Sequence, residues 1–286
     1  MLTKPGEPDL SDIQAVIVLY KSTLSESSTF KSLTRSLRHF NSDVRLSLLV
    51  YDNSPGKQSV ENVDGLLWDI TYAHDENNSG VSKAYNVGAE TAVRANKQWL
   101  LLLDQDTQFP ENAVEVYVKG MSDERYKEQD LFCPLLLAEN SIISPCKFRY
   151  YRGTPLKQAP KPGIFAFREF KPINSGLLVS LKAFQVTGGY NNRIKLDFSD
   201  FDFIGRFSEF FKEGVLLPLQ CSHGLSTHSI DNLDAALARF NYYVAGAREL
   251  KISMLSKLNI EVLLMLRAAR LSSRFQSLRF FNYLSR

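Results

Sequence analysis

The sequence is poor in the residues and patterns that would commit it to metal scaffolding, redox chemistry or secretion. Its three cysteines, Cys133, Cys146 and Cys221, are far apart and odd in number. They form no CxxC pair and no disulfide framework, which excludes a zinc ribbon, a thioredoxin-type motif and a stapled scaffold. Isolated thiols of this kind suit a reducing compartment. No stretch of roughly 18 residues is apolar without a charge, so no spanning helix is expected. The N-terminal segment MLTKPGEPDLSD is polar, holds two prolines and lacks a signal-peptide core. Neither G-x-x-x-x-G-K-[ST] nor GxGxxG occurs, which removes a phosphate-cradling P-loop and disfavours a dinucleotide enzyme. There is no internal repeat and no low-complexity segment. The expectation is a cytoplasmic protein, with the membrane surface still open to it.

What is present is globular. The 286 residues are 44% hydrophobic and 23% charged, with a net charge of +3 that implies no special partner. The length suits one large domain, or one domain with a tail, and supports a substantial core without staples.

The first half alternates between two periodicities. IQAVIVLY (13–20) is a short β-branched apolar run and reads as a buried strand. A helical pattern follows, with Leu33, Leu37 and Phe40 on one face. LSLLVYDNSPG (46–56) reads as a second strand ending in a turn cluster, and LLWDITYAH as a third apolar segment. NNSGVSKAYNVGAETAV then reads as a loop opening into a helix, and QWLLLL (98–103) as another strand. Strands alternating with helices predict an α/β fold with a mainly parallel sheet. Ligands collect at the carboxyl ends of such strands. Tyr20, the Asp52–Asn53 pair and the Asp104–Asp106 pair all fall at those ends.

The second half is less regular. Residues 131–175 show no clear period, and RYYRGTPLKQAPKPGIFAFREFKP holds four of the eleven prolines and many basic residues. It reads as a long loop near the site. GLLVSLKA (176–183) resumes a strand-like pattern, the TGGY turn and LDFSDFDFIGRF follow, and a final helical region begins near Asp231.

LLLDQDTQFP (101–110) runs three leucines into two carboxylates separated by Gln105. Two ionised carboxylates in a half-buried place raise at least one pKa unless a cation sits nearby. A hard divalent ion with oxygen ligands solves that problem, and magnesium takes its remaining ligands from water and substrate phosphates. Such a D-x-D at a strand end fits a metal holding a diphosphate. Upstream, Gly80 and Gly88 permit close backbone approach, and Asn78 and Asn86 can hydrogen-bond neutral polar groups.

Taken in order, VLYK (18–21), YDNSP (51–55), NNSGVSKAYNVG (77–88), LLLDQDTQF (101–109), INSGLLVS (173–180), GGY (188–190), LDFSDFDFIGR (196–206), HGLSTHS (223–229) and ARFNYYVAGAREL (238–250) resemble the inverting family 2 glycosyltransferases of the GT-A fold. The resemblance spans about residues 12–250. The DQD form of the acidic motif, with LDFSDFDFIGR after it, is similar to the bacterial rhamnosyltransferase subgroup.

The resemblance implies a Rossmann-like central sheet flanked by helices, and roles for particular residues. Tyr20 would pack on a nucleobase. Asp52 would bond the base edge or ribose, its other reading being a turn-stabilising residue. Asn78 and Lys83 would approach the base and diphosphate. Ser175 and Gly176, within INSGLLVS, would join the substrate site. Asp104 and Asp106 would hold Mg²⁺ or Mn²⁺ against the diphosphate, Asp104 also reaching the ribose. The pattern puts Asp200 at the position of the base, with Asp202 orienting the acceptor or pairing with Arg206. Asp197 and Asp202 also suit the start of a helix, where the dipole favours carboxylates. Of His223 and His228, His228 fits better the spacing of a histidine that completes the metal shell. Arg239, Tyr242 and Tyr243 match the final R-x-YY, but AGAREL replaces the Arg-Asn pair that follows it in many relatives.

Residues 248–286 hold eight Lys and Arg against Glu249 and Glu261, a net +6 in a chain of net +3, so the net positive charge is concentrated there. Leucines, phenylalanines and Ile260 lie between the charges. A basic amphipathic helix of this kind can lie in an anionic headgroup layer; the other reading is a helix packed on the catalytic domain or on a partner. Nucleic acid is disfavoured, since no recognisable module accompanies the charge.

The expected organisation is a polar segment over 1–12, a GT-A domain over 13–250 and a basic helical tail over 251–286. The expected activity is metal-dependent transfer of a sugar, L-rhamnose from dTDP-rhamnose, onto a glycan carried by a polyprenyl diphosphate, at the inner face of the cell membrane. A UDP-sugar donor (galactose, N-acetylglucosamine or galactofuranose) is the alternative within the class, and an inactive scaffold the alternative outside it.

Overall fold

In the computed structural model, described over residues 9–60, 65–139, 141–149, 152–224, 232–250, 252 and 254–285, the chain forms a central sheet with helices on both faces. The strands are β1 (Ile13–Leu19), β2 (Leu46–Asp52), β3 (Trp68–His74), β4 (Trp99–Asp104), β5 (Thr107–Gln108), β6 (Leu131–Ala138), β7 (Ser141–Arg149), β8 (Arg152–Leu156), β9 (Gly163–Ala166), β10 (Leu177–Ser180) and β11 (Glu213–His223). The helices are α1 (Ser28–Phe40), α2 (Val81–Arg94), α3 (Ala113–Ser122), α4 (Leu181–Val186), α5 (Ser199–Phe210), α6 (Leu233–Glu249) and α7 (Met254–Phe275).

The main order is β3-β2-β1-β4-β10-β6-β11-β5, with β7 and β8 added beside β6 and β9 beside β11. β3, β2, β1 and β4 are parallel, as the alternating pattern predicts. The second half is mixed: β10 runs antiparallel to β4 and β6, while β11 runs parallel to β6. Strands leave β1 in both directions, so the sheet reverses its order between β1 and β4. That is the switch point at which ligands bind in open α/β sheets.

β1 is buried along its whole length, which is why its sequence is continuously apolar. Ala15, Ile17 and Leu19 face one core together with Leu33 and Leu37 of α1 and Val114, Tyr117 and Val118 of α3. Val16 and Val18 face a second core with Ala84 and Tyr85 of α2 and Phe203 and Phe207 of α5. Gly88 is obligatory in that second layer, because a Cβ there would lie 2.1 Å from Val16 Cγ2.

Residues 131–175 differ from the sequence expectation. They contain four strands, β6 to β9, where the pattern suggested irregular chain and a long loop. β7 and β8 form a ribbon at the margin of the sheet, where prolines and exposed basic residues are tolerated and the apolar alternation is lost. GLLVSLKA also splits: the strand stops at Ser180, whose hydroxyl caps α4 by accepting from Ala183 N.

The C-terminal helices are not detached from the rest. Ile260, Leu264 and Ala268 of α7 pack with Phe240 and Val244 of α6 and with Ile194 and Phe198, forming a third core. No helix among the described residues is long and apolar enough to cross a membrane.

Candidate active site

The two aspartates sit on a turn that is clamped from behind. β4 ends at Asp104, and the Gln105 side chain accepts from Tyr20 N at 2.8 Å, tying the end of β1 to the turn. The start of α1 supplies the rest: Ser27 Oγ donates to Gln105 O at 2.7 Å, and Thr29 Oγ1 donates to Asp104 O at 2.5 Å. With the backbone held this way, the carboxylates are displayed rather than folded back. Asp104 accepts from Tyr85 Oη at 3.0 Å through one oxygen and from Ser175 Oγ through the other. Burial raises the Tyr85 phenol well above its ordinary pKa, and the Asp104 charge adds to the rise, so Tyr85 stays a donor.

Strand pairing delivers the third group. β5 pairs with the end of β11 so that His223 faces Thr107. Thr107 Oγ1 lies 2.8 Å from His223 Nδ1, and that nitrogen lies 3.7 Å from Asp106 Oδ1. Single ligand atoms of Asp104, Asp106 and His223 all lie within 4.8 Å of one another, a spacing that suits one divalent cation. Burial raises the pKa of Asp106, and the Asp104 charge raises it further against the lowering effect of His223. A cation there would relieve the repulsion between the two carboxylates. His228, the histidine favoured by spacing, lies outside the described residues; the histidine found in the cluster is His223.

Asp200 stands in the first turn of α5, half-buried. Burial pushes its pKa up to about 7, and the charges of Asp104 and Asp197 add to the shift. It is a carboxylate poised near neutrality within electrostatic reach of the acidic pair, as a general base requires.

The remaining candidates divide. Tyr20 is 42% exposed just beyond the end of β1. Asn78, at φ 47°, and Lys83, in the first turn of α2, are half-buried nearby. Asp52 is fully buried, and its carboxylate accepts from Ser54 N at 2.9 Å, Gln58 Nε2 at 2.8 Å and Tyr72 Oη at 2.8 Å. Burial alone would raise its pKa, but these donors outweigh it and hold the pKa low. In this conformation Asp52 is the turn-stabilising residue rather than an exposed ligand to a base or ribose. Ser175 and Gly176 are also buried. Ser175 holds Asp104. Gly176 has φ 78°, and an added Cβ would fall 2.8 Å from Pro134 Cγ. Asp202 turns away and binds Arg206 at 2.6 Å, while Arg206 Nη1 donates to the Thr187 and Gly189 carbonyls, pinning α5 to the turn after α4. Of the two roles open to Asp202, the pairing with Arg206 is the one seen.

Tyr85, Gln105 and Thr107 escaped the sequence reading. Their signal was adjacency alone: each lies within a motif whose other residues carried the chemistry.

Residues 16–128 match the family Glycosyl transferase family 2. The family 2 match is under half of the chain; it contains Asp104 and Asp106, while Asp200 and His223 lie beyond it. Solved structures extend the fold likeness. GalNAc-T7 with UDP, GalNAc and Mn²⁺ matches at TM-score 0.53 and 13% identity over 77% of this chain, which spans 44% of that one. S. aureus TarS 1–349 with UDP-GlcNAc matches at TM-score 0.53 and 11% identity over 91% of this chain and 72% of that one. TarS 1–349 on its own matches at TM-score 0.51 and 12% identity, over 88% and 69%. No curated protein sequence matches. A family 2 match over residues 16–128 thus lies within a GT-A-like α/β fold.

Proposed function

We propose that the chain is a metal-dependent inverting glycosyltransferase that moves a sugar from a nucleotide-sugar donor onto a lipid-linked glycan. The observation that carries this reading is the convergence of Asp104, Asp106 and His223 at the sheet's switch point, with Asp200 close enough to feel the Asp104 charge.

Asp104, Asp106 and His223 would hold Mg²⁺ or Mn²⁺, and the imidazole suits the softer Mn²⁺ better than an all-oxygen magnesium site would. The ion would neutralise charge developing on the departing nucleoside diphosphate. Tyr85 and Ser175 orient Asp104 by donating to its two carboxylate oxygens. Tyr20 offers its ring to the base, with Asn78 and Lys83 beside the diphosphate. Asp200 takes the proton from the acceptor hydroxyl as that oxygen attacks the anomeric carbon. The bond from that carbon to the diphosphate oxygen breaks with its electron pair leaving on the oxygen, and the anomeric configuration inverts.

L-rhamnose from dTDP-rhamnose is the donor we favour, on the resemblance of DQD and LDFSDFDFIGR to rhamnosyltransferases. The second reading is a UDP-sugar, since TarS of the same fold is solved with UDP-GlcNAc. The acceptor would be a surface-polysaccharide precursor on polyprenyl diphosphate, at the cytoplasmic face of the membrane. α7 would bring the enzyme there. Leu258, Val262, Met265 and Leu266 form an exposed apolar stripe opposite its packed face, with Arg270 and Arg274 beside it.

The test is Asp200→Asn, assayed for donor binding and for transfer. Retained metal-dependent donor binding with transfer lost by a factor of about 10² or more supports the assignment. Complex assembly in cells that survives the substitution undiminished, with no turnover by the wild type, would favour the scaffold reading.

A further inference from the structure

Near the turn of α5 that carries the candidate base sits a lysine that no carboxylate among the described residues pairs with. Lys171 is fixed to Cys146 by a two-way backbone bridge, Cys146 N to Lys171 O at 2.9 Å and Lys171 N to Cys146 O at 2.8 Å. Its side chain is half-buried, and burial lowers its pKa. Its Nζ rests 5.5 Å from the centre of the Phe148 ring.

Phe148 connects that lysine to the site. It stacks on Phe201 with ring centroids 4.2 Å apart. Phe201 directly follows Asp200, and its N–H donates to Asp200 Oδ1 at 2.8 Å. The β7–β8 ribbon is pressed tightly there: a Cβ on Gly153 would lie 3.1 Å from both Cys146 Sγ and Phe201 Cζ. Asp200 is within electrostatic reach of both Asp104 and Cys146.

Two clefts open on the Lys171 side, of ≈ 520 and ≈ 410 Å³, sharing Arg168 in their walls. Lys147, Arg168, Lys171 and Lys212 line them against the carboxylates of Glu169 and Glu213. Ser208, in the wall of the larger cleft, is eight residues beyond Asp200 on α5, about 12 Å along the helix. Lys171 lines the larger cleft and Phe148 the smaller, and the larger one reaches α5 about two turns beyond the base.

We propose that Lys171 and Phe148 form an acceptor subsite, Phe148 packing on an apolar or ring surface and Lys171 pairing with a phosphate-type anion beside it. This rests on the glycosyltransferase reading, in which the donor fills the region of Asp104 and Asp106 and the acceptor must reach Asp200 from another side. The other three cations in the clefts match a group with more than one negative charge, such as a phosphate or diphosphate, better than a single carboxylate. Aromatic surface next to the cation selects an anion attached to something apolar over a free one.

The experiment is calorimetric titration of the full chain with geranyl diphosphate in EDTA, so that no cation at Asp104 and Asp106 can recruit the diphosphate. Inorganic pyrophosphate and geraniol are titrated in parallel. Geranyl diphosphate is expected to bind at least tenfold more tightly than either. Lys171→Met should weaken it tenfold or more, Phe148→Ala should weaken it while leaving pyrophosphate binding unchanged, and Lys171→Arg should restore it. Thermal melting checks that each variant folds. Unchanged affinity in folded Lys171→Met, equal affinity for pyrophosphate and geranyl diphosphate, or no binding by the wild type overturns the proposal. A titration of wild type and Lys171→Met with dTDP-rhamnose and with UDP-sugars, Mn²⁺ present, separates the two readings: binding of a nucleotide sugar without geranyl diphosphate binding by the wild type sinks the subsite alone, and geranyl diphosphate binding with no nucleotide sugar bound sinks the glycosyltransferase reading.

Discussion

Arg239 on α6 grips Asp197 with two nitrogens, Nε at 2.9 Å from Oδ2 and Nη2 at 3.1 Å from Oδ1. Asp197 lies three residues before Asp200, and the intervening Phe198 is held in the left-handed region at φ 74°. The ring of Tyr243 sits 4.7 Å from that of Phe198, and the Arg267 guanidinium of α7 lies 3.7 Å above Tyr243. The entry to α5 is therefore braced by both C-terminal helices, and the Arg239 guanidinium is taken up by Asp197.

Arg239→Met should cost about 1.5–3 kcal/mol of stability, the range for a charge-assisted hydrogen bond broken at one end. It should also lower kcat about 10-fold through misplacement of Asp200, with donor KM unchanged. A rise in donor KM at constant kcat would show instead that Arg239 touches the nucleotide.

The Asp200 carboxyl titrates at about 7 in the fold, far above the ordinary carboxylate range. A base must be ionised, so kcat/KM should rise with pH and level off above about 7. Binding of a cation at Asp104 and Asp106 offsets one source of the shift and should move that limb to lower pH. Stability has the opposite sign. Between about pH 4 and 7 the folded state binds more protons at this position than the unfolded one, so its contribution declines as pH rises through that window. Asp200→Asn should therefore raise the Tm at about pH 8 relative to wild type and change it little at about pH 4. Thermal melts at the two pH values check this, and an equal shift at both would contradict it.

Thr107 fixes the His223 ring through its hydrogen bond with Nδ1. Thr107→Val should weaken Mn²⁺ binding roughly 10- to 100-fold, the usual effect of losing a partner that fixes a metal-binding imidazole. His223→Ala should be at least as damaging. Calorimetry with Mn²⁺ tests both; wild-type affinity in His223→Ala would remove this histidine from the site.

Gly80 opens α2 at φ 92°, and a Cβ on it would lie 2.0 Å from the Lys195 carbonyl oxygen. That oxygen accepts from Val81 N at 2.8 Å, so the clash cannot be relieved without breaking the cap of α2. Gly80→Ala should cost about 2 kcal/mol or more. Gly205, inside α5 with nothing within 4 Å of its added Cβ, is the control: Gly205→Ala should stabilise by about 0.5–1 kcal/mol. Urea melts of the two variants should move in opposite directions.

Leu258 and Leu266 are 66% and 62% exposed on α7 and support no core. Replacing both with Glu should abolish sedimentation with vesicles containing anionic lipid while leaving the Tm within about 1 °C of wild type, since exposed positions contribute little to stability. Undiminished sedimentation would move the membrane contact off this face.

The parallel half of the sheet could be read from the chain because β1, β2 and β4 are buried on both faces, and burial on both faces writes a continuous apolar run. The DQD turn was legible for the same reason, as an abrupt end to such a run. β7 and β8 were not: marginal strands keep their hydrogen bonds but lose their alternation, and Pro145 and Pro155 read as breakers. Asp52 shows a limit of another kind. Sequence places it at a strand end beside the site, but not how many donors converge on its carboxylate. Spacing favoured His228, which lies outside the described residues, and the pairing of β5 with β11 that puts His223 opposite Thr107 is a long-range register that no local pattern records. The tail's charge was visible; its packing against Ile194 and Phe198 was not.

The most direct measurement is calorimetric titration of the purified chain with dTDP-rhamnose and with UDP-sugars, with and without Mn²⁺, repeated on Asp106→Asn. The account predicts tight binding of a nucleotide sugar that needs the metal and is lost in Asp106→Asn, with dTDP-rhamnose the preferred donor. A UDP-sugar in its place would keep the enzyme and replace the sugar. No binding of any nucleotide sugar by folded protein with Mn²⁺ present would contradict the central claim.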